Sequence, residues 1–226
     1  MTQVPLRPKV MSFDVFGTLI SVRDSSYAAF ERILAAAGAR GIDVKTFWEY
    51  WEHQNIRHYW DPYRSYRAIC EQSLGETFAH FGISGESRLI DYYFDAFPKF
   101  FLYDDVLRTF DRLARRYRLA VVSNIDDDLL AATPLPRHVD LVCTAERAKG
   151  YKPDGTLFRY LIENAGVAKD EILHSGQSQF TDLVGAKPLG LTVAWINRRH
   201  LALDESVPRP DFMFPDIESL CGVVEI

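Results

Sequence analysis

Apolar and polar positions alternate along this chain in two textures. From residue 99 onward, short apolar runs stand at RLAVVSN (118–124), VDLVCT (139–144), EILHSG (171–176) and LTVAWIN (191–197). Helical spacing fills 104–117, 127–132, 156–165 and 180–189 between them. Near-continuous apolar strands separated by helices predict a parallel sheet covered on both faces. VMSFD, starting at Val10, belongs to the same set, whereas 22–98 shows no strand pattern. That stretch reads as four helices, 25–38, 44–58, 63–81 and 86–97. The expected fold is therefore α/β, with a core from 1–21 and 99–226 and a helical insert, 22–98, after the first strand. RPDFMFPDIESL, near the end, reads as a short edge strand and a closing helical turn.

The insert is rich in aromatics: Trp48, Tyr50, Trp51, Tyr59, Trp60, Tyr63 and Tyr66. Helical spacing assigns most of them to packing and leaves a few to face a cleft as an apolar lid. A net charge of -5 argues against a nucleic-acid partner, which selects a basic face. No apolar stretch has membrane-spanning length, and MTQVPLRPKV lacks the apolar core of a secretory leader. Cys70, Cys143 and Cys221 are odd in number and fit no zinc spacing, so the expected location is a reducing cytoplasm.

In open α/β sheets, ligands bind outside the carboxyl ends of the strands. That rule selects residues by position alone. Asp14 ends the first strand, Ser123 and Asn124 end the second run, Lys152 follows VDLVCT, and Gln177, Ser178 and Asp182 follow ILHSG. A carboxylate, a hydroxyl with an amide, an ammonium and a second acid thus meet at one sheet edge. A carboxylate used as a nucleophile must stay ionised beside an anionic substrate, and a nearby lysine lowers its pKa. Asp14 and Lys152 suit that pairing, Gly17 lets backbone approach a ligand, and Thr18 can hold the nucleophile.

FDVFGTLI, LAVVSNIDDD, GYKPDGTLF and ILHSGQSQFTDLVGAKPLGLTVAWINR together resemble the four ordered motifs of the haloacid dehalogenase superfamily. The last motif looks most like the type II 2-haloacid dehalogenases. The resemblance implies a Rossmann-like core with a helical cap, Asp14 as nucleophile, Lys152 as its charge partner and Thr18 beside it. It places Ser123 and Asn124 on a small-molecule carboxylate substrate, and Asp182 at the final acid. Ser178 and Trp51 join the expected substrate contacts, and relatives of this kind often form homodimers. Phosphatases of the superfamily carry a second Asp where this chain has Phe16. An aromatic ring there suits an alkyl halide, because a halide leaves without a proton. Gln177 likewise replaces a carboxylate that many of those phosphatases use for magnesium. No metal is therefore expected. The alternatives are a Mg2+-dependent phosphatase, with Asp14 and Asp182 holding the ion, and a catalytically weak binding protein.

Two positions depart from the dehalogenase pattern. Trp51-Glu52 stands where an Arg usually meets the departing halide, and Gln179 stands where Asn is common. Arg57, Arg64, or an indole N–H of Trp48, Trp51 or Trp60 are the candidates to replace that Arg. The run Asp126-Asp127-Asp128 reads as a helix start, and His174 as a core histidine. His53 and His58 lie in the insert with no tie to the chemistry.

Overall fold

A computed structural model describes residues 6–225, so residues 1–5 of the expected core segment and Ile226 lie outside it. The chain runs β1 (Val10–Phe13), β2 (Ile20–Ser21), α1 (Arg23–Ala36), α2 (Val44–Arg57), α3 (Tyr66–His80) and α4 (Asp91–Phe94). Next come β3 (Phe101–Leu102), α5 (Val106–Leu113), β4 (Arg118–Ser123), α6 (Asp127–Ala131), β5 (Leu141–Thr144) and α7 (Ala145–Ala148). It ends with α8 (Thr156–Asn164), β6 (Ile172–Gly176), α9 (Val184–Ala186), β7 (Thr192–Ile196) and β8 (Phe212–Phe214).

Six strands pair in the order β5-β4-β1-β6-β7-β8, all parallel. The chain fills one side of β1 with β4 and β5, then crosses to the other side for β6, β7 and β8. The order therefore reverses at β1, which makes its carboxyl end the switch point where such sheets hold ligands. Side-chain alternation sends Met11 and Phe13 into one core, with α5 against them and Phe110 4.9 Å from Phe13 between ring centroids. Val10, Ala120 and Val122 enter the other core, under Leu157, Phe158 and Leu161 of α8. Each large apolar side chain so buried contributes about 1.5–3 kcal/mol relative to exposure.

β2 and β3 pair antiparallel, Ile20 opposite Leu102 and Ser21 opposite Phe101. Everything between them is helix or loop. Asp43 and Ser65 accept the amides of Thr46 and Ala68 at 2.9 and 3.2 Å and so start α2 and α3. Phe30, Phe47, Trp51, Phe78 and Tyr93 interlock α1, α2, α3 and α4.

Several expected helices differ in detail. The one expected over 86–97 is broken into a 3-10 turn, the single turn of α4 and a second 3-10 turn at Phe97–Lys99. Pro98 cannot continue an α-helix, and the aromatic run Tyr93, Phe94, Phe97 and Phe100 packs as a cluster instead. The helix expected to start at 63 begins at Tyr66, where Ser65 caps it. The helix expected over 180–189 opens as a π-helix, Gln179–Leu183, and closes as a 3-10 turn at Lys187–Leu189 around Pro188. The wide first turn goes with Asp182, which lies inward among the core strands.

Candidate active site

The backbone after β1 turns at once, with Asp14 N–H donating to the Ser175 carbonyl at 2.9 Å. Gly17 takes φ +85°, and a β-carbon there would press on Gln177 at 3.0 Å. That turn brings Thr18 back under the carboxylate. Its hydroxyl donates to Asp14 Oδ2 at 2.6 Å and accepts the Gln177 N–H at 2.9 Å.

Lys152 reaches in from the loop after α7 and binds both acids. Its ammonium donates to Asp14 Oδ1 and, at 2.8 Å, to Asp182 Oδ1. The Asn124 side-chain oxygen accepts the Lys152 backbone N–H at 2.9 Å and fixes that loop. Asp182 is fully buried and also accepts the Ser178 N–H at 3.0 Å. His174 Nε2 lies 3.4 Å from the same carboxylate, and Ser12 Oγ lies 3.0 Å from its Nδ1. The core histidine read from the sequence thus stands directly behind the candidate site. A β-carbon on Gly176 would meet Asp182 Cγ at 2.3 Å, so only glycine leaves room for that inward acid.

The electrostatics differ from the simple pairing. Burial pushes the Asp14 carboxyl above its ordinary range, and Asp182 adds to this, while Lys152 and Thr18 only pull it part of the way back. Lys152 thus lowers the Asp14 pKa in the expected direction, but burial and Asp182 outweigh it. Burial also works against ionisation of Asp182, but Lys152 and His174 outweigh it and bring it down to about 2. Burial opposes the charge of Lys152 as well; the two carboxylates prevail and raise its pKa.

Asp14 and Lys152 open onto a cavity of about 350 Å³ between the sheet edge and the helical segment. Phe16, Ser123, Asn124, Ser178 and Trp51, the residues expected to contact substrate, line it together with Gln177 and Thr181. Ser123 Oγ is buried with no hydrogen-bond partner among the described residues. Phe16 packs its ring 5.6 Å from Phe97 and 6.4 Å from Phe100. Asp182 is not among the lining residues.

The remaining singled-out residues fall as follows, with Asp126, Asp127 and Asp128 opening α6 as expected. Arg57 and Arg64 do not line the cavity; they bond Gln54 and Gln72. Trp60 is 59% exposed, and the Trp51 indole N–H is committed to the Cys70 carbonyl at 3.2 Å. Gln179 turns away and binds the backbone of Ala202 and Asp204. Asp126 accepts the Tyr66 and Arg67 amides at 2.9 and 3.0 Å, so it caps α3 across the cleft, while Asp128 pairs with Arg67. His53 is exposed, and His58 bonds Asp61 and Glu76.

Sequence reasoning left out Arg23, Arg199 and Tyr93, all of which line the cavity, and Arg198. Arg198 donates to the Thr18 carbonyl at 2.8 Å and to Asp105 at 3.0 Å, tying the loop after Asp14 to the segment after β3. Glu52 also lines the cavity, and its carboxyl is pushed up to about 7 by burial, against the pull of Arg23 and Arg199.

Asp14 and Asp182 share the Lys152 ammonium, and the described residues hold no group of three His, Cys, Asp or Glu side chains placed around a common point. That donor set suits an ammonium better than a hard divalent cation, which takes six or so oxygens.

Comparison with known proteins agrees with this layout. The family model of the haloacid dehalogenase-like hydrolases matches residues 8–190. (S)-2-haloacid dehalogenase 4A of Burkholderia cepacia is 24% identical over 83% of this chain and 82% of its own. Haloacetate dehalogenase H-2 of Moraxella sp. (strain B) is 23% identical over 96% of this chain and 98% of its own. The L-2-haloacid dehalogenase structure from Xanthobacter autotrophicus superposes with a TM-score of 0.81, at 23% identity, over 94% of this chain and 96% of that one.

Proposed function

We propose, from the premise that the chain belongs to the haloacid dehalogenase-like hydrolases, that it is a 2-haloacid dehalogenase acting on a short 2-haloalkanoic acid. The observation that carries the reading is Phe16, whose ring packs on Phe97 and Phe100 two residues after Asp14. An apolar wall suits a carbon–halogen bond, and a halide departs without a proton. The names of the similar dehalogenases point the same way.

In this reading Asp14 attacks C2 of the substrate in its ionised form, the carbon–halogen bond breaks, and the halide leaves with the bonding pair. Lys152 and Thr18 hold the attacking carboxylate in place. Ser123 and Asn124 bind the substrate carboxylate; the unpartnered Ser123 hydroxyl supplies a ready donor. Water then adds to the Asp14 carboxyl carbon, the ester bond breaks, and the 2-hydroxy acid leaves with one proton while the other passes to solvent. Asp182, away from the cavity, keeps Lys152 charged and aimed. The helical segment 22–98 acts as a cap that excludes bulk water, and no step needs a metal. A homodimer and a cytoplasmic location complete the reading. Among the described residues no helix is long and apolar enough to cross a membrane.

The test is a single turnover in heavy-oxygen water with a chelator present. Halide release with the label in Asp14 and not in the hydroxy acid is expected. Label appearing first in the product, or phosphate release that magnesium restores, overturns the proposal.

A further inference from the structure

Lys152 comes from a loop that has no slack. Lys149 ends α7 at φ +52°, a left-handed conformation that turns the chain sharply. A β-carbon on Gly150 would meet Thr156 Cγ2 at 2.5 Å, so the loop runs hard against α8. A β-carbon on Gly185 would strike the Lys152 carbonyl, which wedges the backbone there as well. The Lys152 N–H is held by Asn124 Oδ1 at 2.9 Å. Lys152 sends its side chain to Asp14 and Asp182, whereas Tyr151, just before it, sends its ring to the helical segment.

Tyr151 is 1% exposed and does not line the cavity. Its ring stacks on Tyr59, with 4.6 Å between centroids and 9° between planes, and on Tyr63 at 5.9 Å and 30°. Its hydroxyl donates to the Arg64 carbonyl at 2.8 Å. Lys149 sets its ammonium 5.0 Å from the Tyr63 ring centroid. The loop that carries Lys152 is thus fastened to Tyr59, Tyr63 and Arg64, in the turn between α2 and α3. A loop wedged on both sides moves as one piece, so Tyr151 and Lys152 shift together or not at all.

We infer that Tyr151 is a positioning residue, through which the seating of the helical segment sets the Lys152 ammonium between Asp14 and Asp182. With the segment seated, the stack holds the loop and the lysine is aimed. With it lifted, Tyr151 loses its stack and Lys152 its aim, which ties attack by Asp14 to closure over the substrate. The inference rests on the proposed reaction for its effect on turnover, but not for the mechanical link.

The experiment compares wild type with Tyr151→Phe, Tyr151→Leu and Tyr63→Ala. The first keeps the stack and loses the bond to Arg64; the second loses both. Tyr63→Ala weakens the stack from the helical side, at a residue that does not line the cavity. For halide release from 2-chloropropanoate, Tyr151→Leu is expected to lower kcat by about 10- to 100-fold with KM within about threefold. Tyr63→Ala is expected to lower kcat by about three- to tenfold, and Tyr151→Phe to retain most of it. Asp14 faces Lys152, Asp182 and Thr18, and a displaced Lys152 pulls on it less. The acidic limb of the pH–rate profile should therefore move to higher pH in Tyr151→Leu and Tyr63→Ala. A tyrosine that only packs would lower the melting temperature and leave that limb where it is. The second readout needs no turnover: exchange of the Lys152 backbone amide, followed by NMR, is expected to be at least about tenfold faster in the same two variants. If Tyr151→Leu does not fold, Tyr63→Ala decides. An unmoved limb, or Lys152 amide exchange equal to wild type, overturns the link. If wild type releases halide from no haloacid, yet the Lys152 amide loses protection in Tyr63→Ala, the reaction assignment falls and the link stands.

Discussion

Replacing Lys152 by methionine tests the charge arrangement at the centre of the site. The lysine side chain is 3% exposed and its ammonium bridges Asp14 and Asp182, the latter at 2.8 Å. At that distance and an effective dielectric near 20, one ion pair has a gross attraction of about 6 kcal/mol. Desolvation of all three groups offsets most of it, so the useful quantity is the cost of leaving two buried acids without their cation, about 3–5 kcal/mol. For a domain of this size each kcal/mol moves Tm by about 2–4 °C, so Lys152→Met is expected to melt about 6–20 °C lower at pH 7.

The pH dependence fixes the sign. With Lys152 gone, the folded-state pKa values of Asp14 and Asp182 both rise above their unfolded values. The folded variant then binds more protons than the unfolded chain, and its stability falls as pH rises through those raised values. The deficit against wild type should be largest near neutrality and shrink toward pH 4, where the acids are protonated. Lys152→Met/Asp182→Asn should recover part of the loss, because one buried charge has gone with the cation. Calorimetric melts from pH 4 to 8 supply the numbers. A drop under about 2 °C at pH 7, or a double variant less stable than Lys152→Met, would refute the reasoning. Any residual activity of the Lys152 variant should show its acidic limb moved to higher pH, since Asp14 must still ionise to attack.

Asp14→Asn should lower turnover by at least about 10⁴-fold with the fold intact, and one tenth of wild-type activity would remove Asp14 as the nucleophile. The Glu52 carboxyl, pushed up to about 7, gains its charge near neutral pH on the cavity wall, where that charge repels an anion held in the cavity. Activity should therefore decline as pH rises through about 7, and Glu52→Gln should stay flat across that range in a pH–rate profile. Asp126→Ala removes the acceptor for the two first amides of α3. Loss of about 0.5–2 kcal/mol of capping energy should appear as faster amide exchange in α3 than in the parallel sheet.

The sheet was legible because its strands are buried on both faces and read as unbroken apolar runs. Position at a strand end was enough to gather Asp14, Ser123, Asn124, Lys152 and Asp182, since a parallel sheet puts all its carboxyl ends on one edge. The helical segment was legible as helix but not as surface. Trp48, Trp51 and Trp60 look alike in sequence, yet one has a buried donor with no partner among the described residues, one a committed donor and one faces solvent. Which applies depends on where acceptors such as the Cys70 carbonyl fall, and those are contacts between helices with no local signature. The role of Asp126 was hidden for the same reason: its position suggests a cap for α6, but the amides it binds lie 59 and 60 residues earlier.

Arg198 shows how the core could govern the helical segment. Its guanidinium holds the Thr18 carbonyl and Asp105, and it stands 4.0 Å from the Tyr103 ring centroid. Thr18 bonds the Asp14 carboxylate, whereas Tyr103 and Asp105 directly follow β3, the strand that pairs with β2 at the two ends of the helical segment. A shift of the β2–β3 pair would therefore strain the Arg198 bonds, and through Thr18 it would move the nucleophile itself. Asp105 accepts the Ile217 N–H at 2.9 Å as well, which anchors this junction to the end of the chain. Arg198→Lys keeps the charge but cannot span the Thr18 carbonyl and Asp105 with a planar fork. Its expected effect is a fall in kcat of about tenfold or more at nearly constant KM, because misplacing the attacking carboxylate by a fraction of an ångström weakens the transition state and not the substrate complex. A variant that raised KM at constant kcat would instead make Arg198 a substrate contact and break the proposed link between the helical segment and Asp14.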